Sequence, residues 1–231
     1  MPVTTEPETT SAPEAGGLPL VAVLLALTGV SGLIDAVCFL GLDHVFTANM
    51  TGNVLVLGFA AAGTAGFSVP HTLTSVAFFL VGALAGGRLF ARMARTSRRT
   101  WTRVSLAVEA ALLAAASALA FVAPDADGTT YALIAVTAVA MGLRNETVRK
   151  LRVAGLPTTT VITSLLTGLV ADSPWGDGSG SRLPRRAAAI LALFAGALVG
   201  AWLVDHHGLG VPLLVAAVAS AGPAVTASGR D

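Results

Sequence analysis

The sequence predicts an all-α bundle of membrane-spanning helices that contains two internal repeats. Hydrophobic residues make up 54% of the 231-residue chain and charged residues only 12%, whereas a soluble domain carries about 25% charged residues. Several apolar runs reach the ~20 residues that cross about 30 Å of hydrocarbon. A pattern in which polar residues interrupt an apolar segment also occurs twice along the chain. Together these three observations indicate a polytopic integral membrane protein.

The two copies of the interrupted pattern lie at a nearly constant separation. The first copy runs from GLIDAVCF into VFTANMTGN, and the second runs from GLRNETVR into LPTTTVITS. Equivalent residues are 110, 112 and 114 residues apart, at Gly32/Gly142, Thr51/Thr163 and Gly82/Gly196. Many transporters are paired repeats whose broken helices enclose a site near the bilayer midplane. The sequence therefore predicts repeat one over residues 18–123 and repeat two over residues 129–223.

Six long apolar runs predict full spans, at residues 18–42, 72–93, 101–123, 130–151, 186–204 and 209–222. Two shorter runs, at residues 46–62 and 158–171, begin with Thr and Asn, which favour helix N-caps. These two runs predict half-helices. Residues 1–17, rich in Thr, Glu and Pro, predict a disordered tail, and residues 224–231 predict a second short tail on the single membrane domain 18–223.

Loop charges predict how the chain is threaded. Residues 88–103 contain six arginines and no acid, so this loop is expected in the cytoplasm. Residues 144–152 are basic as well, and residues 172–186 contain three further arginines. Both flanks of the second short run then lie on one side, which favours a re-entrant half-helix and inverted repeats. Eight short spans in parallel repeats are the alternative, because Asp172 and Asp177 dilute the last cluster.

Two carboxylates inside apolar runs are candidate functional groups. Asp35 lies in the first run, where an acid costs roughly 2.5 to 3.5 kcal/mol on insertion scales. We expect it to face the protein interior, and its repeat equivalent is Asn145. Glu109 is either a coupling carboxylate or, as its nearness to the cytoplasmic end favours, a side chain that reaches the interface or pairs with an arginine. Arg144 is interpreted as a topology anchor rather than a substrate ligand.

The polar residues of the two short runs form the main predicted site. A half-helix that begins near the midplane points unpaired N–H groups and a partial positive charge inward. Two such ends, flanked by Asp35 and Asn145, are expected to bind a substrate or ion. The alternative is that the Thr and Asn side chains only form hydrogen bonds between helices. The residues concerned are Asn49, Thr51, Asn53, Thr158, Thr159, Thr160 and Thr163.

Two GxxxG spacings, Gly82/Gly86 and Gly196/Gly200, predict close helix packing between the two halves, with a homodimer contact as the alternative. A single cysteine, Cys38, excludes an internal disulfide and a cysteine metal cluster. We find no HExxH, CxxC, GxSxG or Walker-type motif and no basic-aromatic nucleic-acid surface. The sequence therefore predicts no enzyme, no cofactor and no metal site, with a bilayer and a small solute or ion as partners.

The stretches GLIDAVCFLGLDHVFTANMTGNVLVLG and MGLRNETVRKLRVAGLPTTTVITSLLTGL resemble the YoaK-like family of bacterial inner-membrane proteins. The resemblance covers residues 18–221 and implies a multi-pass protein of the bacterial inner (cell) membrane, without implying a substrate. From the residues themselves, we expect a transporter or channel for a small polar or anionic solute. A non-transporting sensor or assembly component is the alternative, and a membrane-embedded enzyme has the least support.

Overall fold

The computed structural model of the chain describes residues 18–124, 126, 128–151, 162–176, 178, 180 and 183–226. Within these residues every regular element is an α-helix, which confirms the all-α prediction. The helices are α1 (Leu18–Gly41), α2 (Met50–Ala61), α3 (Val69–Arg92), α4 (Arg98–Val122), α5 (Thr129–Leu151), α6 (Ile162–Ala171), α7 (Leu183–His207) and α8 (Gly210–Thr226).

Several helix boundaries differ by about three or four residues from the predicted ones, and two of these differences affect the segment before α2 and the second tail. α2 begins at Met50, because the preceding residue, Asn49, caps the helix by accepting a hydrogen bond from the Gly52 N–H. The residues before Asn49 form a non-helical segment, residues 42–49, which we call the inner loop. At the other end of the chain, α8 continues through Pro223 to Thr226, so it extends into the residues expected to form the second tail.

Contacts between helices show which of them run in the same direction. Gly29 of α1 faces Ala192 of α7, and Gly200, further along α7, faces Leu33 and Ala36, further along α1. These two helices are therefore parallel. α3 and α5 are parallel by the same test, because Gly82 faces Val139 and Gly86 faces Leu143. α4 and α8 are antiparallel, since the Ser117 hydroxyl donates to the Gly210 carbonyl while Ser220 contacts Glu109.

The α1–α7 contact and the α5–α3 contact match residue for residue. An added Cβ on Gly32 would lie 2.2 Å from the carbonyl oxygen of Leu193, and one on Gly142 would lie 2.1 Å from that of Phe79. In the other direction, an added Cβ on Gly196 would meet the Gly29 carbonyl, and one on Gly82 would meet the Val139 carbonyl. Glycine at these four positions lets the backbones touch. The same close crossing thus occurs twice, at the 110- and 114-residue spacings found in the sequence.

The first short helix lies between two helix ends that are close together. Asp43, at the start of the inner loop, pairs with His71 in the first turn of α3, and His44 bonds the Gly66 carbonyl. α1 therefore ends where α3 begins. At the second short helix, Arg186 of α7 contacts both the Gly168 carbonyl and the Asp172 carboxylate, which joins the end of α6 to the start of α7.

Most of the basic residues gather at one end of the bundle. Arg98 donates to the Leu151 carbonyl, which places the start of α4 beside the end of α5. We call this end the basic end. Its basic residues come from α3, the turn before α4, and the helices α4, α5 and α7: Arg88, Arg92, Arg95, Arg98, Arg99, Arg103, Arg149, Lys150, Arg185 and Arg186. The positive-inside rule predicts that the basic end faces the cytoplasm.

Among the described residues, four helices are long and apolar enough to cross a bilayer: α1 (from Val21), α3, α4 and α7. α5 has 23 residues but carries Arg144, Glu146, Arg149 and Lys150, and α8 has 17 residues. α2 and α6, with 12 and 10 residues, are much shorter than the ~20 residues of a full span.

Single cysteines in a Cys38→Ala background will report the threading of the chain. We expect an impermeant thiol reagent applied outside cells to label Thr64→Cys, which is exposed opposite the basic end, and not Thr96→Cys. Trp175, 94% exposed between α6 and α7, distinguishes the two topologies. Trp175→Cys stays unlabelled if α6 is re-entrant, and its labelling from outside would support the parallel arrangement.

The close crossings should be sensitive to a single methyl group. An added Cβ on Gly196 would lie 1.8 Å from the Gly29 carbonyl oxygen, so Gly196→Ala forces two backbones apart. We expect it to lower the free energy of unfolding in detergent by about 1–3 kcal/mol. Gly58→Ala on α2 is the control, because its Cβ meets nothing within 4 Å. Equal stability of the two variants would contradict the close crossing.

Candidate functional site

The Asp35 carboxylate holds the inner loop against the C-terminal third of α1. Its Oδ1 accepts hydrogen bonds from the backbone N–H groups of Thr47 (3.0 Å) and Ala48 (2.8 Å). Asp35 lies six residues before the end of α1, which corresponds to about 9 Å along a helix at roughly 1.5 Å per residue. The inner loop therefore enters the bundle by about two helical turns before α2 begins. Asp35 both positions this segment and brings a carboxylate to the bundle interior.

Two further side chains hold the same loop from α2 and α3. Asn53 is fully buried; its Oδ1 accepts from the Phe46 N–H (2.8 Å), and its Nδ2 donates to the Phe46 carbonyl (2.6 Å) and to Ser75 (2.9 Å). The Ser75 hydroxyl also donates to the Phe46 carbonyl. Non-helical backbone is tolerated at membrane depth only where its polar groups are paired inside the protein. Asn53 therefore fixes the loop rather than facing open space.

A cavity of about 250 Å³ lies where the beginnings of α2 and α6 approach α1 and α7. Its polar lining comes from Ser31 and Asp35 of α1, Asn49 and Thr51 at the start of α2, and Thr163 at the start of α6. Leu55, Ile162 and Leu193 supply most of the apolar wall. Among the lining residues Asp35 is the one ionisable side chain. The cavity thus presents hydroxyl, amide and carboxylate groups to anything inside it.

The structure brings together four of the residues predicted for the site: Asp35, Asn49, Thr51 and Thr163. Two predicted residues do not line the cavity, since Asn53 bonds the inner loop and Asn145 is half-buried elsewhere on α5. Thr158, Thr159 and Thr160 lie outside the described residues. Of the predicted glycines, Gly82 and Gly196 contact helices within the chain, as described above.

A buried ion pair lies behind the cavity wall. The Arg144 guanidinium contacts the Glu109 carboxylate, and both side chains are 1% exposed. Arg144 also donates to the Leu27 carbonyl (2.9 Å), and Ser220 donates to Glu109 (2.6 Å). The pair therefore joins α5, α4, α1 and α8. Arg144 Nε and Glu109 Oε2 have no hydrogen-bond partner among the described residues.

This pair corrects two interpretations of the sequence. Glu109 does pair with an arginine, as one of the alternatives had it, but the pair is fully buried, so Glu109 is not a side chain that reaches toward the cytoplasm. Arg144 is not a topology anchor, since its charge is neutralised inside the bundle. The residues are 35 positions apart, so a sequence pattern does not reveal the pairing. The sequence does carry a signal at Glu109, which stands alone in an apolar stretch and in a membrane helix calls for a partner, whereas Arg144 begins a charged stretch and gives no such signal.

Ser31 connects the pair to the cavity. Its hydroxyl accepts a hydrogen bond from Arg144 (3.2 Å) and donates to the Leu27 carbonyl (3.1 Å), while the residue lines the cavity. One hydroxyl thus separates the cavity from the guanidinium. Among the described residues, no group of three or more His, Cys, Asp or Glu side chains is placed to hold a metal ion.

The fold and the buried polar groups define the chain as a multi-pass helical membrane protein. Residues 23–226 match the family described as "Protein of unknown function (DUF1275)", and the chain belongs to this family. It is 33% identical over 149 residues to the UPF0700 transmembrane protein YoaK of Bacillus subtilis (strain 168), an alignment that covers 64% of each chain. This agrees with the YoaK-like resemblance of the two polar stretches. No solved structure matches the chain.

Removing one member of the ion pair should be costly. Glu109→Gln leaves Arg144 charged and unpaired in the bundle, and we expect it to lower the free energy of unfolding in detergent by about 3–5 kcal/mol. Arg149→Gln is the matched control, because it breaks a pair with Glu146 in which the arginine side chain is 62% exposed, worth about 0–1 kcal/mol. A Glu109→Gln variant as stable as this control would show that the pair is not buried.

The carboxylate of Asp35 should matter to the inner loop as an acceptor. Asp35→Ala removes both hydrogen bonds to the loop, and we expect a loss of about 2–4 kcal/mol in unfolding free energy. Asp35→Asn keeps an acceptor oxygen and should insert and fold, with a loss of about 1 kcal/mol. Proteolysis of the loop should increase only in the alanine variant. Identical stability of the two variants would contradict this anchoring role.

Proposed function

We propose that the protein is a transporter or channel for a small polar solute, with the cavity beside Asp35 as its binding site. One observation carries the proposal: residues at the starts of both short helices line one cavity together with an intramembrane carboxylate. Transporter sites are often built in this way, from discontinuous helices near the bilayer midplane. A purely structural bundle would have no need for an open polar space at this depth.

The proposed architecture has six spans and two re-entrant half-helices in two inverted repeats. The matched glycine crossings, α1 with α7 and α5 with α3, support the repeat. The helix directions support inversion. α1 is parallel to α7, and the chain reverses direction between α7 and α8, so α8 runs opposite to α1. Because α4 is antiparallel to α8, α4 runs in the same direction as α1, and α5, which follows α4 after a turn, runs antiparallel to its proposed equivalent α1. The concentration of arginines at one end and the relationship to YoaK support a location in the bacterial inner membrane.

The chemistry of the cavity favours a neutral or cationic solute over an anion. Asp35 is the ionisable group of the lining, so it attracts a cation or proton. The donors that would bind an anion are partly engaged: the inner loop donates two N–H groups to Asp35, and the Gly52 N–H bonds Asn49. A volume of about 250 Å³ equals roughly eight water molecules at about 30 Å³ each. The proposed solute is therefore small.

The ion pair behind the cavity is the proposed coupling element. Protonation of Glu109 would remove the negative partner of Arg144, and the guanidinium already reaches the cavity wall through Ser31. A change of charge at Glu109 would then alter the electrostatic potential at the solute.

The substrate can be sought by thermal stabilisation of the purified protein across a library of metabolites and ions, followed by uptake into proteoliposomes with the best compound. We expect Thr163→Trp, which places a large ring in the cavity, to reduce uptake at least tenfold. Ser164→Trp is the control, because Ser164 is exposed on the same helix and does not line the cavity. Asp35→Asn should fold but lose uptake if the charge is required.

Wild-type uptake by Thr163→Trp would contradict the proposed site. A compound that stabilises the wild type without any flux across the liposome membrane would instead support a sensor or assembly component that uses the same cavity.

A further inference from the structure

A second pocket, distinct from the proposed solute site, lies at the basic end of the bundle. Its volume is about 430 Å³, and it is formed where α3 ends, α4 begins and α5 ends. Two cations, Arg98 and Lys150, line it together with the aromatic rings of Phe90 and Trp101. None of its lining residues is acidic. We call it the basic-end pocket.

The two cations are held beside apolar surface. Lys150 Nζ lies 4.6 Å from the centre of the Phe90 ring, and that ring packs edge-on against Trp101 with centroids 5.2 Å apart. Arg98 donates to the Leu151 carbonyl, which fixes the guanidinium at the pocket wall. The ammonium and guanidinium groups would attract an anionic group, and the neighbouring aromatic rings would contact hydrocarbon. Together they suit an amphipathic ligand that carries both.

The nearest carboxylate, Glu146, is shared between two cations and does not line the pocket. Glu146 Oε1 forms an ion pair with Lys150 Nζ at 3.9 Å, a separation beyond hydrogen-bond distance. Both Glu146 oxygens accept hydrogen bonds from Arg149, at 2.6 and 2.9 Å. Trp101 Nε1 is buried and has no hydrogen-bond partner among the described residues. A ligand oxygen in this pocket would therefore meet the Lys150 ammonium group and the Trp101 N–H as donors.

From these contacts we infer that the basic-end pocket binds the phosphate of an anionic phospholipid. Its place at the ends of α3, α4 and α5 puts it at the membrane–water interface on the side that the positive-inside rule assigns to the cytoplasm. Basic pockets between helices on this side are suited to anionic headgroups. The acyl chains would lie along Phe90, Met93 and Leu151. Free phosphate carries the same anionic group but gains nothing from these apolar walls.

The test measures lipid binding to the full-length protein by native mass spectrometry and thermal shift, with phosphatidylglycerol, phosphatidylcholine and inorganic phosphate as probes. We expect phosphatidylglycerol to bind and stabilise the protein, and the other two to have little effect. Lys150→Gln should weaken phosphatidylglycerol binding about fivefold, the scale of one cation near an anionic lipid. Arg95→Gln is the matched control, because Arg95 is an exposed cation between two lining residues and does not line the pocket itself.

Equal weakening by Arg95→Gln would mean that general surface charge attracts the lipid, and it would overturn the site. Unchanged binding in Lys150→Gln would overturn it as well. Arg98→Gln is a second variant, but its hydrogen bond to Leu151 makes Lys150→Gln the primary test. Stabilisation by inorganic phosphate equal to that by phosphatidylglycerol would overturn the assignment to a lipid.

Discussion

The hydrogen bonds from the inner loop to Asp35 are the interaction on which the proposed site depends. A chain that enters the bundle without helical structure must pair its backbone N–H and carbonyl groups inside the protein, because lipid offers no partners. Asp35, Asn53 and Ser75 supply those partners from three different helices. With the loop held in this way, α2 begins deep in the bundle. The cavity follows from that starting point, since it opens where α2 meets α6.

The buried charges of Arg144 and Glu109 also need partners inside the protein, and they lie outside the cavity. Arg144 and Glu109 neutralise each other, and their remaining bonds reach α1 and α8, so the pair ties together four helices. A buried ion pair of this kind adds little net stability compared with apolar packing, but the loss of one partner is severe. In the proposed function this position behind Ser31 matters, because a single hydroxyl group separates the guanidinium from the cavity.

Periodic and compositional features of the sequence predicted most of the fold. The eight helices follow from apolar runs and Thr/Asn caps, and the GxxxG glycines lie at close crossings. Asp35 was recognisable because a lone acid in an apolar run needs a partner. The pairing of Arg144 with Glu109 was not predictable, since it depends on how α4 and α5 pack. Asn53 and Thr51 are both polar residues of the same short run, so the sequence does not distinguish their roles. The path of the inner loop decides that Asn53 anchors the loop and that Thr51 lines the cavity.

The central claim is that the beginnings of α2 and α6 meet in one cavity, and intramolecular cross-linking tests it most directly. In a Cys38→Ala background, cysteines replacing Thr51 and Thr163 should be joined by a short bifunctional thiol reagent within one molecule in membranes. A cysteine at Val170, exposed and further along α6, should not be joined to the one at position 51. We expect efficient cross-linking of the 51/163 pair alone. If that pair fails to cross-link although both cysteines react with a monofunctional thiol reagent, the two helix starts do not share a cavity.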